Sequence, residues 1–337
     1  MITAINSARR SVQLESYIFA DDEVGKWFAS VLGECAGRGV HVRLHLDAAG
    51  SLFWSSRHFF RRLEDDGVEV RWFHRWTWRS PMRYNRRLHR KLLVIDRRRA
   101  WIGGFNIHRE CSRRIVGEAR WRDTHVAIDG PLAAVSANLF DTFWRGSRAG
   151  AAAEAATTSM LVPNRSRADR RDLRDVYAEA FAAAVSRAWL TTPYFIPDRY
   201  THRHLVEMAQ RGVDVRLLVP AKSDVRIARW AARAAYAVLL EGGVRIYEYL
   251  PRMLHAKTVV IDGTWCTIGT ANLDYRSFFL NQELTLVSVD AGLCGSLEEQ
   301  FLQDLEQAAE IRADVWPRRH WPERLLELIG WLARRWL

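Results

Sequence analysis

Two short segments carry side chains whose types and spacing suit acid–base or nucleophilic chemistry. HRKLLVID (His89 to Asp96) sets an imidazole and an ammonium two residues apart at the head of an apolar run, and HAKTVVID (His255 to Asp262) repeats that arrangement 255 − 89 = 166 residues later. If the runs are strands, residues i and i+2 leave the same face of the pleat, so His89 projects with Lys91 and His255 with Lys257. One such pair can sit at a strand edge for solubility alone. Two copies, each with the same four-residue spacing to Asp96 or Asp262, do not reduce to that reading. Only four of the 50 basic residues are lysine, namely Lys26, Lys91, Lys222 and Lys257, so half of the lysines stand in these two pairs. In a chain that otherwise uses arginine, a lysine is expected to have a specific task.

Each pair is followed by a short glycine–asparagine segment, GGFN (Gly103 to Asn106) and GTAN (Gly269 to Asn272). Glycine lets backbone N–H groups approach a phosphate closely, and the asparagine amide adds a neutral donor. Further on, each half sets an acid at the head of an apolar alternation, Asp123 before THVAI and Glu283 before LTLVS. A carboxylate beside a catalytic histidine fixes its tautomer and stabilises the imidazolium, so both acids are candidates for that role.

The elements that must carry these groups are themselves duplicated. GRGVHVRLHL (Gly37 to Leu46) returns as QRGVDVRLLV (Gln210 to Val219), and DGVEVRWF (Asp66 to Phe73) as GGVRIYEY (Gly242 to Tyr249), in the same order as the two histidine segments. Strand-like runs alternate with helical stretches such as 172–189 and 228–240, which predicts an α/β sandwich in each half. The small, weakly patterned stretch GSRAGAAAEAATTS (Gly146 to Ser159) suits a linker, so the expected domains are 1–150 and 151–310, followed by a basic amphipathic tail at 311–337.

The chain has 337 residues, 48% of them hydrophobic, enough for a substantial core, and its formal net charge of +11 favours phosphate-bearing partners, nucleic acid or an anionic membrane. Cys35, Cys111, Cys266 and Cys294 are scattered without metal-ligand or disulfide-framework spacing, which fits a reducing compartment. No apolar run approaches the roughly 20 residues that cross a bilayer, and MITAINSARRSVQLE lacks the apolar core of a signal peptide.

Two His-x-Lys-x4-Asp motifs with trailing Gly-Asn segments resemble the duplicated signature of the phospholipase D superfamily over roughly residues 2–305. Within it, LESYIFADDEVG (Leu14 to Gly25), YNRRLHRKLLVID (Tyr84 to Asp96), WRDTHVAIDGP (Trp121 to Pro131), TTPYFIPD (Thr191 to Asp198) and VPAKSD (Val219 to Asp224) are similar to the bacterial cardiolipin synthases. The first motif departs slightly, with Gly104 where the second half has Thr270. The resemblance implies two phospholipase D-like domains related by pseudo-two-fold symmetry, with one active site at their interface. It implies a phosphatidyltransferase that moves the phosphatidyl group of phosphatidylglycerol to a lipid alcohol through a phosphohistidine. His89 is then the nucleophile and His255 the general acid/base by analogy, with the reverse left open by the near-equivalent motifs. Lys91, Lys257, Asn106 and Asn272, with Gly104 and Thr270, would bind the phosphate; Asp123 and Glu283 would orient the imidazoles. Asp96 and Asp262 complete the catalytic motif, although a role in the turn after the strand is equally open. No metal or cofactor is required, and no oligomer is needed to complete the site.

Two stretches suit a lipid–water boundary. RWFHRWTWRSPMRYNRR (Arg71 to Arg87) interleaves Trp72, Trp76 and Trp78 with six arginines. From Trp321, apolar residues Leu325, Leu328, Ile329, Leu332 and Trp336 recur at helical spacing between basic flanks, which fits a helix lying on anionic lipid or one docked on the second domain. The expected location is peripheral, on the cytoplasmic face of the cell membrane. A hydrolase passing the phosphatidyl group to water and a nuclease are the alternatives; the Trp-rich rim and the block-by-block similarity to lipid enzymes weigh against nucleic acid.

Overall fold

The structure, a computed structural model, describes residues 1–75, 78, 85–146 and 158–334. Residues 76, 77 and 79–84 of the Trp/Arg-rich stretch, 147–157 of the expected linker, and 335–337 lie outside the described residues.

The strands are β1 (Ser11–Ser16), β2 (His41–Asp47), β3 (Glu69–Phe73), β4 (Leu92–Ile95), β5 (Arg99–Gly103), β6 (His125–Asp129), β7 (Ser159–Asn164), β8 (Arg187–Thr191), β9 (Asp214–Pro220), β10 (Arg245–Tyr249), β11 (Thr258–Ile261), β12 (Trp265–Gly269), β13 (Glu283–Ser288) and β14 (Ala308–Ile311). One sheet has the order β3-β2-β1-β4-β5-β6, and six strands of a second have the order β14-β10-β9-β8-β11-β12. The duplicated sequence blocks therefore become duplicated topology. β1 is parallel to β2 and antiparallel to β4, and β8 stands in the same relation to β9 and β11. The fold is α/β with two large sheets, as the sequence predicts.

Contacts divide the chain into two compact units. The first holds Met1–Arg120, His125–Asp169 and Leu280–Leu286; the second holds Trp121–Thr124, Arg170–Phe279 and Val287–Leu337. Each unit thus takes a short segment from the other half of the sequence, and those two segments contain Glu283 and Asp123.

In the first unit the period-two alternation of β1 explains how both faces of the sheet are covered. Val12 and Leu14 join the apolar cluster with Phe28, Val31 and Leu32 of the helix Glu23–Gly37, whose N-terminus is capped by Asp22. Gln13 points the other way and donates to Asp141 at 2.8 Å, on the helix Pro131–Trp144. In β4, Leu93 and Ile95 follow the first face, on which Lys91 also falls, and Arg90 falls on the second.

The second unit ends in the helix Trp321–Ala333, which packs on the helix Arg226–Ala234. The docked side is its polar one. Glu327 is buried and accepts from Arg319 at 3.1 Å, with the Arg233 guanidinium 3.6 Å away. Gly330 fills the contact, because a Cβ there would lie 2.4 Å from the Ala231 nitrogen. Trp321, Leu325, Leu328, Ile329, Trp331 and Leu332 face solvent. The two sequence readings of this stripe thus resolve in an unexpected way: the helix docks, and the residues of the stripe stay exposed while Leu326 and Ala333 are half-buried.

Candidate active site

His89 enters just ahead of β4, and the chain leading to it is fixed by the buried Asp47 at the end of β2. The Asp47 carboxylate caps the short helix Ala48–Leu52 through the Ala49 and Gly50 N–H groups, accepts the Leu88 N–H at 2.7 Å, and lies 3.2 Å from an Arg87 nitrogen. The His89 N–H then donates to the Gln282 carbonyl at 2.9 Å, and the Gln282 N–H to the Arg87 carbonyl at 2.8 Å. This small parallel bridge ties the histidine to the neighbouring acid. Glu283, fully buried, receives the His89 Nδ1 at 2.9 Å and 3.0 Å on its two oxygens.

The second unit repeats the device with different residues. The Arg122 N–H donates to the Met253 carbonyl at 2.8 Å, and the His255 N–H to the Arg122 carbonyl at 2.7 Å. His255 Nδ1 then lies 2.6 Å from an Asp123 oxygen. The segment bearing Asp123 is anchored by Arg122, which donates to Asp304 at 2.7 Å, and by Thr124, which donates to Gln300 at 3.0 Å. Each orienting acid therefore comes from the opposite half of the sequence. Burial pushes the Asp123 carboxyl up, but the charges of His255 and Lys257 and the hydrogen bonds it accepts outweigh that and hold it below the ordinary carboxylate range. An ionised acid on Nδ1–H leaves Nε2 as the nitrogen able to attack or to exchange a proton.

Both lysines are buried, each one residue ahead of its strand, β4 or β11. Lys91 Nζ donates to the His89 carbonyl at 2.8 Å and lies 5.4 Å from the Tyr17 ring centre, and Lys257 Nζ donates to the His255 carbonyl. Asn106 is buried and its Oδ1 accepts the Ile18 N–H at 3.2 Å. Asn272 donates from Nδ2 to Asp274 at 3.1 Å, and its buried Oδ1 has no hydrogen-bond partner among the described residues. Gly104 and Thr270 are buried next to the asparagine segments.

Of the two readings of Asp96 and Asp262, in the catalytic motif or in the turn after the strand, their contacts favour the turn. Each ends its strand at the other end from the histidine, about 20 Å away along an extended chain. Asp96 accepts backbone N–H groups of Arg9, Arg10 and Ser11 at 2.9, 2.7 and 2.9 Å, and Asp262 accepts those of Val185, Ser186 and Arg187 at 2.8 Å each. Both adopt left-handed backbone, φ 51° and 52°, which an Asp tolerates better than most residues. Burial works against ionisation of Asp262, but these hydrogen bonds win and bring it down to about 2. These hydrogen bonds tie the end of each motif strand to the start of its neighbour.

Several residues around the imidazoles escape the motif reading. The Tyr17 ring stands edge-on to His89 at 5.4 Å, and His255 is bracketed by Trp121 at 5.1 Å and Tyr194 at 6.4 Å. Tyr17 is held close by Gly50, where a Cβ would come 2.2 Å from the Tyr17 carbonyl oxygen. The blocks LESYIF and TTPYFIPD contain the tyrosines but give no hint of the ring contact. Among the described residues, no group of three or more His, Cys, Asp or Glu side chains is arranged to hold a metal ion.

The family described as "Cardiolipin synthase, PLD-like domain" matches residues 1–144 and 177–305. The chain is 36% identical to "Cardiolipin synthase A" of Pseudomonas fluorescens (strain SBW25) over 318 residues, 91% of this chain and 66% of that protein. It is 34% identical to "Cardiolipin synthase 2" of Bacillus cereus over 342 residues, 97% of this chain and again 66% of the relative, so it spans just under two thirds of the length of these curated proteins. A crystal structure of phosphatidylserine synthase from Haemophilus influenzae Rd KW20 shares the fold with a TM-score of 0.71 at 14% identity, covering 99% of this chain and 89% of that one. Polyphosphate kinase from Porphyromonas gingivalis gives 0.66 at 14% identity, covering 94% of this chain and 46% of that one.

Proposed function

The chain belongs to the family of cardiolipin synthase PLD-like domains, and from that premise we propose that it is a phosphatidyltransferase that moves the phosphatidyl group of phosphatidylglycerol to a lipid alcohol. The observation that carries the reading is the pair of buried histidines, His89 and His255, each with Nδ1 held by a buried carboxylate and each with a buried lysine ammonium on its own carbonyl.

In the first step Nε2 of one imidazole, His89 in this reading, forms a bond to phosphorus. The phosphorus–oxygen bond to glycerol breaks, and the departing alkoxide takes a proton from Nε2 of the other. In the second step the acceptor hydroxyl gives its proton back to His255, its oxygen attacks phosphorus, and the nitrogen–phosphorus bond breaks. Dividing one displacement into two lets each imidazole work near its ordinary titration range. Lys91 and Lys257 balance the charge on the non-bridging oxygens, and Asn106 and Asn272 offer them neutral hydrogen-bond donors. Glu283 and Asp123 steady the imidazolium that each proton transfer creates. The reading requires both imidazoles to serve one phosphorus.

The enzyme works at an anionic membrane surface, on its cytoplasmic face. The outward apolar stripe of the helix Trp321–Ala333 and the +11 charge support this; no helix among the described residues is long and apolar enough to cross a membrane.

Incubation of the chain with phosphatidylglycerol micelles, followed by lipid separation, tests the function. Cardiolipin and free glycerol are expected, lost in both His89→Ala and His255→Ala and retained with a chelator. Phosphatidic acid without cardiolipin makes the protein a hydrolase, and cleavage of single-stranded DNA with no lipid turnover overturns the reading.

A further inference from the structure

The turn after the first Gly-Asn segment brings together three groups that the duplicated plan does not require. Cys111 Sγ lies 3.2 Å from His108 Nε2, and His108 Nδ1 lies 2.7 Å from a Glu110 oxygen. The imidazole is buried, the Glu110 side chain is 40% exposed, and Cys111 is partly exposed. At the offset of 166 residues that relates the two halves, the second half has Asp274, Arg276 and Ser277. There Asp274 caps the helix Tyr275–Phe279, accepting the Ser277 N–H at 2.6 Å, and also accepts from Asn272. The first half has an imidazole in place of that cap and a thiol in place of that serine.

The chemistry of such a set is well defined. A carboxylate on Nδ1–H fixes the tautomer in which Nε2 accepts, and an acceptor 3.2 Å from sulfur can take the thiol proton. Cys35, Cys266 and Cys294 provide the contrast within one molecule: all three are buried, and burial pushes each thiol above its ordinary range.

We propose that Cys111 is a reactive thiol, activated by His108 and Glu110, and a site of covalent modification by peroxides and other soft electrophiles. With hydrogen peroxide the thiol proton passes to His108 and the thiolate attacks one peroxide oxygen. A sulfur–oxygen bond forms as the oxygen–oxygen bond breaks, the sulfur loses two electrons, and the leaving hydroxide takes the proton from His108 as water. The product is the sulfenic acid.

Timed alkylation of the folded chain with iodoacetamide at neutral pH, read by peptide mass spectrometry, tests this with the other cysteines as internal references. Cys111 is expected to react at least about tenfold faster than Cys35, Cys266 and Cys294. His108→Ala should slow it about three- to tenfold, the range set by thiolate fraction against intrinsic nucleophilicity. Because His108 is buried, Glu110→Gln serves as the second variant, with the same direction of effect and an unchanged circular dichroism spectrum. Peroxide treatment followed by dimedone should add the sulfenic acid adduct at Cys111 and nowhere else. Equal labelling of all four cysteines, rates unmoved by both variants, or no adduct at Cys111 would overturn the proposal.

Discussion

The carboxylate that holds His89 is Glu283, 194 residues further along the chain, with both of its oxygens within 3.0 Å of Nδ1. The corresponding partner of His255 is Asp123, 132 residues before it. Each acid immediately follows a residue, Gln282 or Arg122, whose backbone exchanges two hydrogen bonds with the chain entering the histidine. The exchange of acids between the sequence halves is therefore built into the backbone, and the side-chain contact follows from it.

This relationship predicts that Glu283→Gln and Asp123→Asn each lower the transfer rate on the order of 100- to 10,000-fold without loss of fold, because the amide no longer selects the tautomer or steadies the imidazolium. Steady-state transfer from phosphatidylglycerol measures it. A Glu283→Gln protein with an undiminished rate would remove the acid from the mechanism.

Asp96→Ala and Asp262→Ala are predicted to act on stability, with turnover per folded molecule unchanged. Each loses three backbone hydrogen bonds and strains a left-handed residue, together roughly 2 kcal/mol. The Asp262 carboxyl stands at about 2 against an ordinary 3.8. Its contribution is thus present above pH 3.8 and is lost as pH falls through about 2. Urea titrations of the variants over that range, beside activity at pH 7, separate the two roles.

Glu15 and Arg90 make a wholly buried ion pair at 2.9 Å, on the opposite face of β4 from Lys91. The matching positions in the second half are Thr191 and Ala256. Arg90→Ala alone strands the carboxylate and is expected to cost about 3–5 kcal/mol, whereas Glu15→Thr combined with Arg90→Ala recovers much of it. Burial, only partly countered by Arg90, pushes Glu15 from 4.5 up to about 7. Its contribution is accordingly fullest below pH 4.5 and is lost as pH rises through about 7. A Glu15→Gln protein should show a flatter stability profile across that window in chemical denaturation.

The terminal helix separates docking from lipid binding. Leu328→Glu with Leu332→Glu, both exposed, should abolish co-sedimentation with anionic vesicles at low salt and leave the melting temperature in place. Gly330→Leu should do the reverse first, lowering the melting temperature, because its side chain would run into the backbone at Trp230 and Ala231. Vesicle binding that survives both glutamates would rule the stripe out as the lipid contact.

The sequence alone determined the duplicated α/β plan and the pairing of each histidine with a lysine. Both are written in local patterns: apolar alternation sets strands, and a spacing of two sets which side chains share a face. It also marked Asp123 and Glu283 as acids worth watching, since each heads an apolar run. What it could not contain is which acid serves which histidine, because that depends on bridges between residues more than a hundred positions apart, Leu88 with Gln282 and Arg122 with Leu254. The motif aspartates illustrate the converse. Asp96 and Asp262 look catalytic because they keep a fixed spacing to the histidines, yet that spacing is the length of one strand and delivers them to its far end. The terminal helix shows the same limit: periodicity revealed an apolar stripe, but only the Glu327–Arg319 contact and the close approach at Gly330 decided that the stripe faces outward.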